Sequence, residues 1–152
     1  GVLATLPIIL TLAHDGAGAV NLSDALKAMH AASGVLGLLT FLSMAPDSEP
    51  LPRDRIVDAA VAMLKRAARI DTGNLDVGDA KGRAELLERA VGILQLFSAA
   101  NNKSDMELVV QAGGLEVLKS LADENSGRPQ QMAKGVLEMY ATHWAHFWAN
   151  SQ

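Results

Sequence analysis

Apolar residues recur at helical spacing along nearly the whole chain, and breaks that are polar or contain glycine or proline divide them into about seven segments. The clearest segment is 53–70, where Ile56, Met63 and Leu64 share one stripe and charged residues lie mainly on the other side. No segment alternates between apolar and polar residues as a half-buried strand does. The pattern therefore predicts an all-α protein.

The helix boundaries follow from the breaks and from residues that favour helix ends. Ser23 is a candidate N-cap, and the pair Ala45-Pro46 ends the helix that it begins. The segment 71–81 contains two glycines and three aspartates and is expected to be an exposed loop. The predicted helices cover 2–14, 23–44, 53–70, 83–100, 105–111, 115–122 and 130–149.

Two internal repeats recur in the same order along the chain. The pattern glycine, apolar, leucine, any residue, two apolar residues and a small residue occurs at 37–43, 92–98 and 135–141, spaced 55 and then 43 residues apart. A second series, at 9–13, 64–68 and 118–122, has spacings of 55 and 54 residues. Helical repeats of the armadillo and HEAT type recur about every 40–47 residues, and insertions at 14–22 and 71–81 explain the longer spacing. The chain is thus predicted to be one repeat domain with units at about 1–45, 51–100 and 104–149.

One stretch carries a more specific signature. Residues 108–121, Leu-Val-Val-Gln-Ala-Gly-Gly-Leu-Glu-Val-Leu-Lys-Ser-Leu, resemble the junction between the first and second helices of an armadillo repeat. The paired glycines suit a tight corner, because glycine reaches positive φ without a Cβ penalty. The resemblance implies an armadillo-like α-solenoid of about three helical repeat units, in which the third helices line a concave surface that binds extended peptides or partner proteins.

The resemblance also locates candidate contact residues on the third helices, at 23–44, 83–100 and 130–149. Members that read nuclear-localisation peptides present Trp and Asn there. In this chain the Trp positions are Gly37, Gly92 and Gly135, and the Asn positions are Phe41, Leu96 and Met139. An asparagine ladder for basic peptides is therefore not expected. The groove would suit an apolar or amphipathic partner, unless its apolar residues are packed core. The candidate groove residues are Phe41, Leu96, Met139, Gln95 and Glu138.

Aromatic residues concentrate in the last helix. Tyr140, Trp144, Phe147 and Trp148 are four of the six aromatic residues of the chain. Three of them are spaced four apart, which places them on one helical stripe. The stripe serves either as the core that closes the last unit or as an aromatic anchor for a partner, and the two uses can be divided along the helix.

Composition excludes several classes of function. Seventeen acidic residues against 13 Lys and Arg give a net charge of −4, which offers no basic surface for nucleic acid. The absence of cysteine removes disulfides, thiolate nucleophiles and Cys-ligated zinc, and it is compatible with a cytoplasmic protein, including one held in the cytoskeleton or another complex. The apolar segment 2–13 has no basic residue before it and is shorter than the roughly 20 residues that span a bilayer, so it predicts a buried helix. A start at Gly1 rather than Met suggests a processed chain or a segment of a longer one.

Motifs that could carry chemistry lack the context that the chemistry needs. Asp71-Thr72-Gly73 resembles the aspartic-protease tripeptide, but no second copy exists to form a dyad. His143 and His146 could share a metal, but zinc takes at least three protein ligands. We therefore expect no cofactor, no metal and no enzymatic activity. The predicted function is a protein-interaction module, scaffold or adaptor, with oligomeric state open. The alternatives are a permanent structural subunit of a large assembly and a small helical ligand-binding protein or enzyme.

Overall fold

The computed structural model describes the backbone of residues 2–15, 21–45, 47, 51–70, 72–99, 103–124 and 127–150. Side chains are described for these residues except 2–5, 12, 14, 15, 74, 99 and 143–150. All regular structure within the described ranges is helical, which confirms the all-α prediction. The helices are α1 Val2–Asp15, α2 Leu22–Ser43, α3 Arg53–Ala68, α4 Val77–Ala99, α5 Lys103–Gln111, α6 Gly114–Asp123 and α7 Arg128–Asn150, with a 3₁₀ turn at Thr72–Asn74.

The start of α4 differs from the prediction. The segment 71–81 was expected to be a loop, but α4 begins at Val77. The side chain of Asp76 explains the difference, because its Oδ1 accepts a hydrogen bond from the backbone N of Asp79 at 2.7 Å. This satisfies one of the amide groups that every helix start leaves without a partner, and the helix then runs through Gly78 and Gly82.

The cap of α2 also differs from the prediction. Asn21, and not Ser23, is the N-cap, and its Oδ1 accepts from the backbone N of Asp24 at 2.8 Å. The hydroxyl of Ser23 instead donates to Oδ1 of Asp79 on α4 at 3.0 Å. Ser23 therefore joins two helices rather than ending one.

The long helices form two neighbouring rows. In one row α1 packs on α3 and α3 on α6, and in the other α2 packs on α4 and α4 on α7. The rows are joined where α1 meets α2, α3 meets α4, and α6 meets α7, while the short α5 packs mainly on α3, α4 and α6. In the part of the chain that the structure describes, neither α1 nor α2 packs substantially on α6 or α7.

The core lies between the rows. On α3 the spacing of apolar residues buries one whole face, which includes Ile56, Met63 and Leu64. On α4 Leu87 and Leu94 are buried, and α4 packs on α3 of the first row as well as on α2 and α7 of its own. The apolar residues of the two rows therefore form one connected core.

The corner between α5 and α6 depends on two glycines for different reasons. Gly113 has a φ of +82°, in the left-handed region that favours glycine. A Cβ on Gly114 would lie 2.6 Å from Cγ1 of Val109 and 2.9 Å from its carbonyl oxygen, so the backbones could not approach as closely. The positive φ at Gly113 confirms the glycine corner that the sequence predicts.

Candidate functional site

The most unusual surface feature is an apolar stripe on the second half of α2. Val35, Leu38, Phe41 and Leu42, which we call the α2 ridge, are each 46–64% exposed. Val35, Leu38 and Leu42 follow one another at intervals of three and four residues, which aligns them on one helical face, and Phe41 flanks them. A contiguous apolar stripe of this kind is typical of an interaction surface.

The ridge is exposed because α2 is apolar on nearly every side. Its opposite face buries Leu26, Met29 and Leu36 in the core. By length and hydropathy alone α2 is the one described helix that could cross a membrane, and 39% of that apolar stretch is buried inside the protein. Helical packing therefore accounts for part of the apolar character of α2, and the ridge, together with Leu22 at the start of the helix, is left uncovered.

The candidate groove residues lie in different environments. Phe41 is 64% exposed, so the alternative of packed core does not hold for it. Leu96 on α4 and Met139 on α7 are half-buried, while Gln95 and Glu138 are exposed. Phe41 is thus the most exposed of the three equivalent residues, and Leu96 and Met139 are only partly exposed.

Tyr140 belongs to the core and not to an exposed aromatic stripe. It is 4% exposed, and among the described residues its hydroxyl has no hydrogen-bond partner. The neighbouring Ser98 hydroxyl donates to the carbonyl of Leu94 at 2.8 Å. Burial raises the pKa of Tyr140 to about 12, against a smaller lowering by Ser98. We therefore no longer treat Tyr140 as a contact residue, whereas the side chains of Trp144, Phe147, Trp148, His143 and His146 lie outside the described residues.

Glycines make the face of the α2, α4 and α7 row shallow. A Cβ at Gly37 would touch Cγ1 of Ile93 at 3.8 Å, but nothing described lies within 4 Å of a Cβ at Gly92 or Gly135. Open space therefore adjoins α4 and α7 at the positions where the armadillo resemblance expects a large side chain. A Cβ could be placed there without a steric clash.

The sequence did not predict a polar cavity between the first halves of α2 and α4. Its volume is about 530 Å³, and Asp76, Lys27 and Lys81 are among its lining residues. His30 Nε2 lies 2.7 Å from Oε2 of Glu85, and this hydrogen bond is the main reason that the pKa of Glu85 is lowered. The signal available in the sequence was the 55-residue repeat spacing, which separates His30 from Glu85.

The polar contacts at the cavity join α2 to α4. In the residues with described side chains, no three His, Asp or Glu residues come together in a way that could hold a metal ion. The hydroxyl of Ser23, which also lines the cavity, donates to Oδ1 of Asp79. The side chains that line the cavity form hydrogen bonds and an ionic contact between α2 and α4.

A second charged contact stabilises the junction of α3, α4 and α5. Arg53 pairs with the buried carboxylate of Asp105, and its guanidinium lies 6.0 Å from the centre of the Phe97 ring. Burial raises the pKa of Asp105, and the charge and hydrogen bond of Arg53 oppose that shift. This pair joins the second and third predicted units.

Comparisons with protein-family models, with curated proteins and with solved structures find no match to this chain. A functional assignment therefore depends on the surfaces described above.

Proposed function

We propose that this chain is a non-catalytic protein-interaction module, a scaffold or adaptor, and that the α2 ridge is the centre of its contact surface. The observation that carries the proposal is the exposure of four large apolar side chains in two turns of one helix. Completely burying a Leu, Val or Phe side chain contributes about 1.5–3 kcal/mol, so a partner that covers the ridge would recover a large part of that for each residue. Phe41 supplies the aromatic side chain that commonly anchors such contacts.

We further propose that the helices form an armadillo-like solenoid of three units, α1–α2, α3–α4 and α5–α7. The order of contacts supports this, since each unit packs on the next in both rows. The pairs Ser23–Asp79, His30–Glu85 and Gly37–Ile93 advance together along the two helices, so α2 and α4 run parallel, as repeated third helices do. In this arrangement the ridge lies on the helix row that lines the groove.

The surroundings of the ridge favour a protein partner over a membrane surface. Residues 34–43 of α2 include no Lys or Arg, and the chain carries a net charge of −4. Peripheral helices that bind anionic lipid combine apolar residues with a basic face. An apolar or amphipathic protein segment, such as a helix with apolar residues at i, i+3 and i+7, fits the ridge better.

Site-specific photo-crosslinking tests the proposal. A photoreactive amino acid replaces Phe41 in one variant and Val77 in another, and each is exposed to extract from the source cells. Val77 is a matched control, because it is apolar and 88% exposed but lies at the start of α4, whereas Phe41 lies near the end of the parallel α2. We expect a discrete protein adduct at 41 and none at 77. Equal labelling at both positions, or none at 41, would contradict the proposal.

A steric variant then tests the neighbouring face. Gly92→Trp places a large side chain in the open space beside α4, and we expect it to weaken the captured complex while the protein stays folded. The change is matched by Gly82→Trp in the first half of α4, where the space around a Cβ is equally open and the backbone is helical. Unchanged binding in Gly92→Trp would restrict the contact surface to α2.

The extent of the ridge also supports the second candidate, a permanent structural subunit. Such subunits keep apolar surface that only the assembled complex covers. We expect an adaptor to be monomeric in size-exclusion chromatography. A permanent subunit would instead aggregate, and Leu38→Ser with Phe41→Ser would relieve the aggregation without changing helix content.

A further inference from the structure

A three-residue junction joins α2 to α4 beside the polar cavity. His30 on α2 contacts Glu85 and Arg89 on α4, and we call these residues the His30 junction. Nε2 of His30 lies 2.7 Å from Oε2 of Glu85, and Nδ1 of His30 lies 3.3 Å from Nη1 of Arg89. The same Nη1 donates to the backbone carbonyl of His30 at 3.0 Å.

The neighbours of the ring determine which nitrogen carries the hydrogen. The Glu85 carboxylate can only accept when ionised, so Nε2 must donate to it. The guanidinium of Arg89 can only donate, so Nδ1 must accept. A neutral ring with its hydrogen on Nε2 therefore satisfies both contacts at once.

Protonation removes one of these two contacts. When Nδ1 takes a proton from water, an N–H group faces the N–H group of Arg89 at what was a 3.3 Å contact, and two cations become neighbours. At the same time the ring gains a full ion pair with Glu85. We propose that the His30 junction is a pH-sensitive switch, in which protonation of His30 breaks the ring contact of Arg89 and leaves the backbone carbonyl of His30 as its acceptor at the junction. Arg89 is then released more readily from α2, while Glu85 keeps the ring in place.

The other charged groups at the junction do not remove this competition. Lys81 on α4 and Lys27 on α2 line the same cavity, as do Asp76 and Asp79. Asp79 accepts from Ser23, and Asp76 accepts from the start of α4, so both carboxylates already have partners. Glu85 and Arg89 are the charged side chains whose contacts with the ring the structure shows.

Arg89 is placed so that it can leave. It is exposed, and its Nη1 would lie 3.2 Å from a Cβ at Gly34, so the guanidinium covers a helix position that has no side chain. Gly34 directly precedes Val35 of the α2 ridge. Release of Arg89 therefore changes the charge and the shape of the surface beside the ridge. The switch holds whether or not the proposed protein-binding function is correct.

Nuclear magnetic resonance of the whole protein tests the switch. Histidine is the side chain whose charge ordinarily changes between about pH 5 and 8, so ring nitrogen shifts of His30 are compared at about pH 8 and about pH 5. The signal is assigned by its loss in His30→Asn. We expect hydrogen on Nε2 alone at the higher pH. We also expect rotation of the Arg89 guanidinium to become about fivefold faster, or more, when Nδ1 is protonated, because a hydrogen bond is lost.

His30→Asn is also the matched control. Its side-chain oxygen stands near the place of Nδ1 and accepts from Arg89, but it does not titrate. Arg89 rotation in this variant should therefore be the same at both pH values. Hydrogen on Nδ1 at the higher pH, or Arg89 rotation in the wild-type protein that does not respond to pH, would each overturn the proposal. An equal response in His30→Asn would do the same. The tautomer measurement decides even where that variant does not fold.

Discussion

Glycine plays opposite roles at different residues of this fold. Gly114 allows α5 and α6 to approach closely, whereas Gly92 and Gly135 lie inside helices beside open space. We expect Gly114→Ala to lower the free energy of unfolding by about 1–3 kcal/mol, because its Cβ would overlap Val109. Gly92→Ala and Gly135→Ala should raise it by roughly 0.5–1 kcal/mol each, because alanine favours a helix interior.

Chemical denaturation of the three alanine variants checks this prediction. Because all three variants replace glycine by alanine, a difference in the sign of the change in unfolding free energy must come from the surroundings of each glycine. If Gly92→Ala destabilised the protein, a neighbouring segment would have to occupy the space that the structure leaves open.

Tyr140 is a residue-scale probe of the core, since it is the only tyrosine in the chain. Its pKa is raised above the unfolded value of 10.0, mainly by burial. The stability that Tyr140 contributes is therefore complete below about pH 10 and lost as the pH rises toward about 12. We expect the phenolate absorbance of the folded protein to titrate near pH 12 or together with unfolding, and not near 10.

Two variants separate the ring of Tyr140 from its hydroxyl. Tyr140→Phe removes a buried hydroxyl without a described partner, so it should change stability little and abolish the alkaline dependence. Tyr140→Ala should cost about 3–5 kcal/mol because it empties a core position. A large loss in Tyr140→Phe would show that the hydroxyl has a partner.

At the scale of elements, the start of α4 depends on one cap. Asp76→Ala removes the acceptor for Asp79 N and should cost about 1 kcal/mol, measured by thermal or chemical unfolding. Asp76→Asn keeps an acceptor oxygen and is the control, with most of the stability retained. Equal losses in both variants would mean that the charge of Asp76, and not its cap geometry, stabilises the helix start.

The helices were largely predictable because their apolar spacing is regular. The prediction for α5 began within two residues of the observed start and shared its end at Gln111. The prediction for α4 was wrong at its start, since glycines and aspartates in 71–81 resemble a loop when each is considered alone. Asp76 becomes a cap only through its hydrogen bond to a residue three positions later, and the glycines then cost little.

The candidate site was less predictable than the helices. From the helical spacing alone, Phe41 and Tyr140 were equally good candidates for contact residues. In the structure Phe41 is exposed on α2, whereas Tyr140 is buried in the core. Burial of an apolar helical residue depends on which neighbouring helix faces it, and a helical period does not give that neighbour. The His30 junction required the same missing information, namely that α2 and α4 lie side by side and parallel.

For the whole molecule, the order of contacts decides how stability is shared. In the described part of the chain, the α1–α2 pair packs on α3 and α4 and makes no substantial contact with the last pair of helices. A stack of repeats should open from an end, unit by unit, whereas a closed helical bundle with contacts among all its helices should unfold in one step. Leu36→Ala on α2 and Val136→Ala on α7 create cavities at opposite ends of the stack, because both side chains are buried.

Hydrogen exchange of the two variants distinguishes the stack from the bundle. In a stack, Leu36→Ala should accelerate amide exchange in α1 and α2 at least tenfold more than in α6 and α7, and Val136→Ala should give the reverse, since about 1.4 kcal/mol confined to one unit is a factor of ten. Because α4 packs on both neighbours, its amides should respond to either variant by an intermediate amount. Uniform acceleration along the whole chain in both variants would contradict the proposed solenoid and indicate one cooperative core. The exposed α2 ridge would then have to be explained by a binding partner and not by a repeat groove.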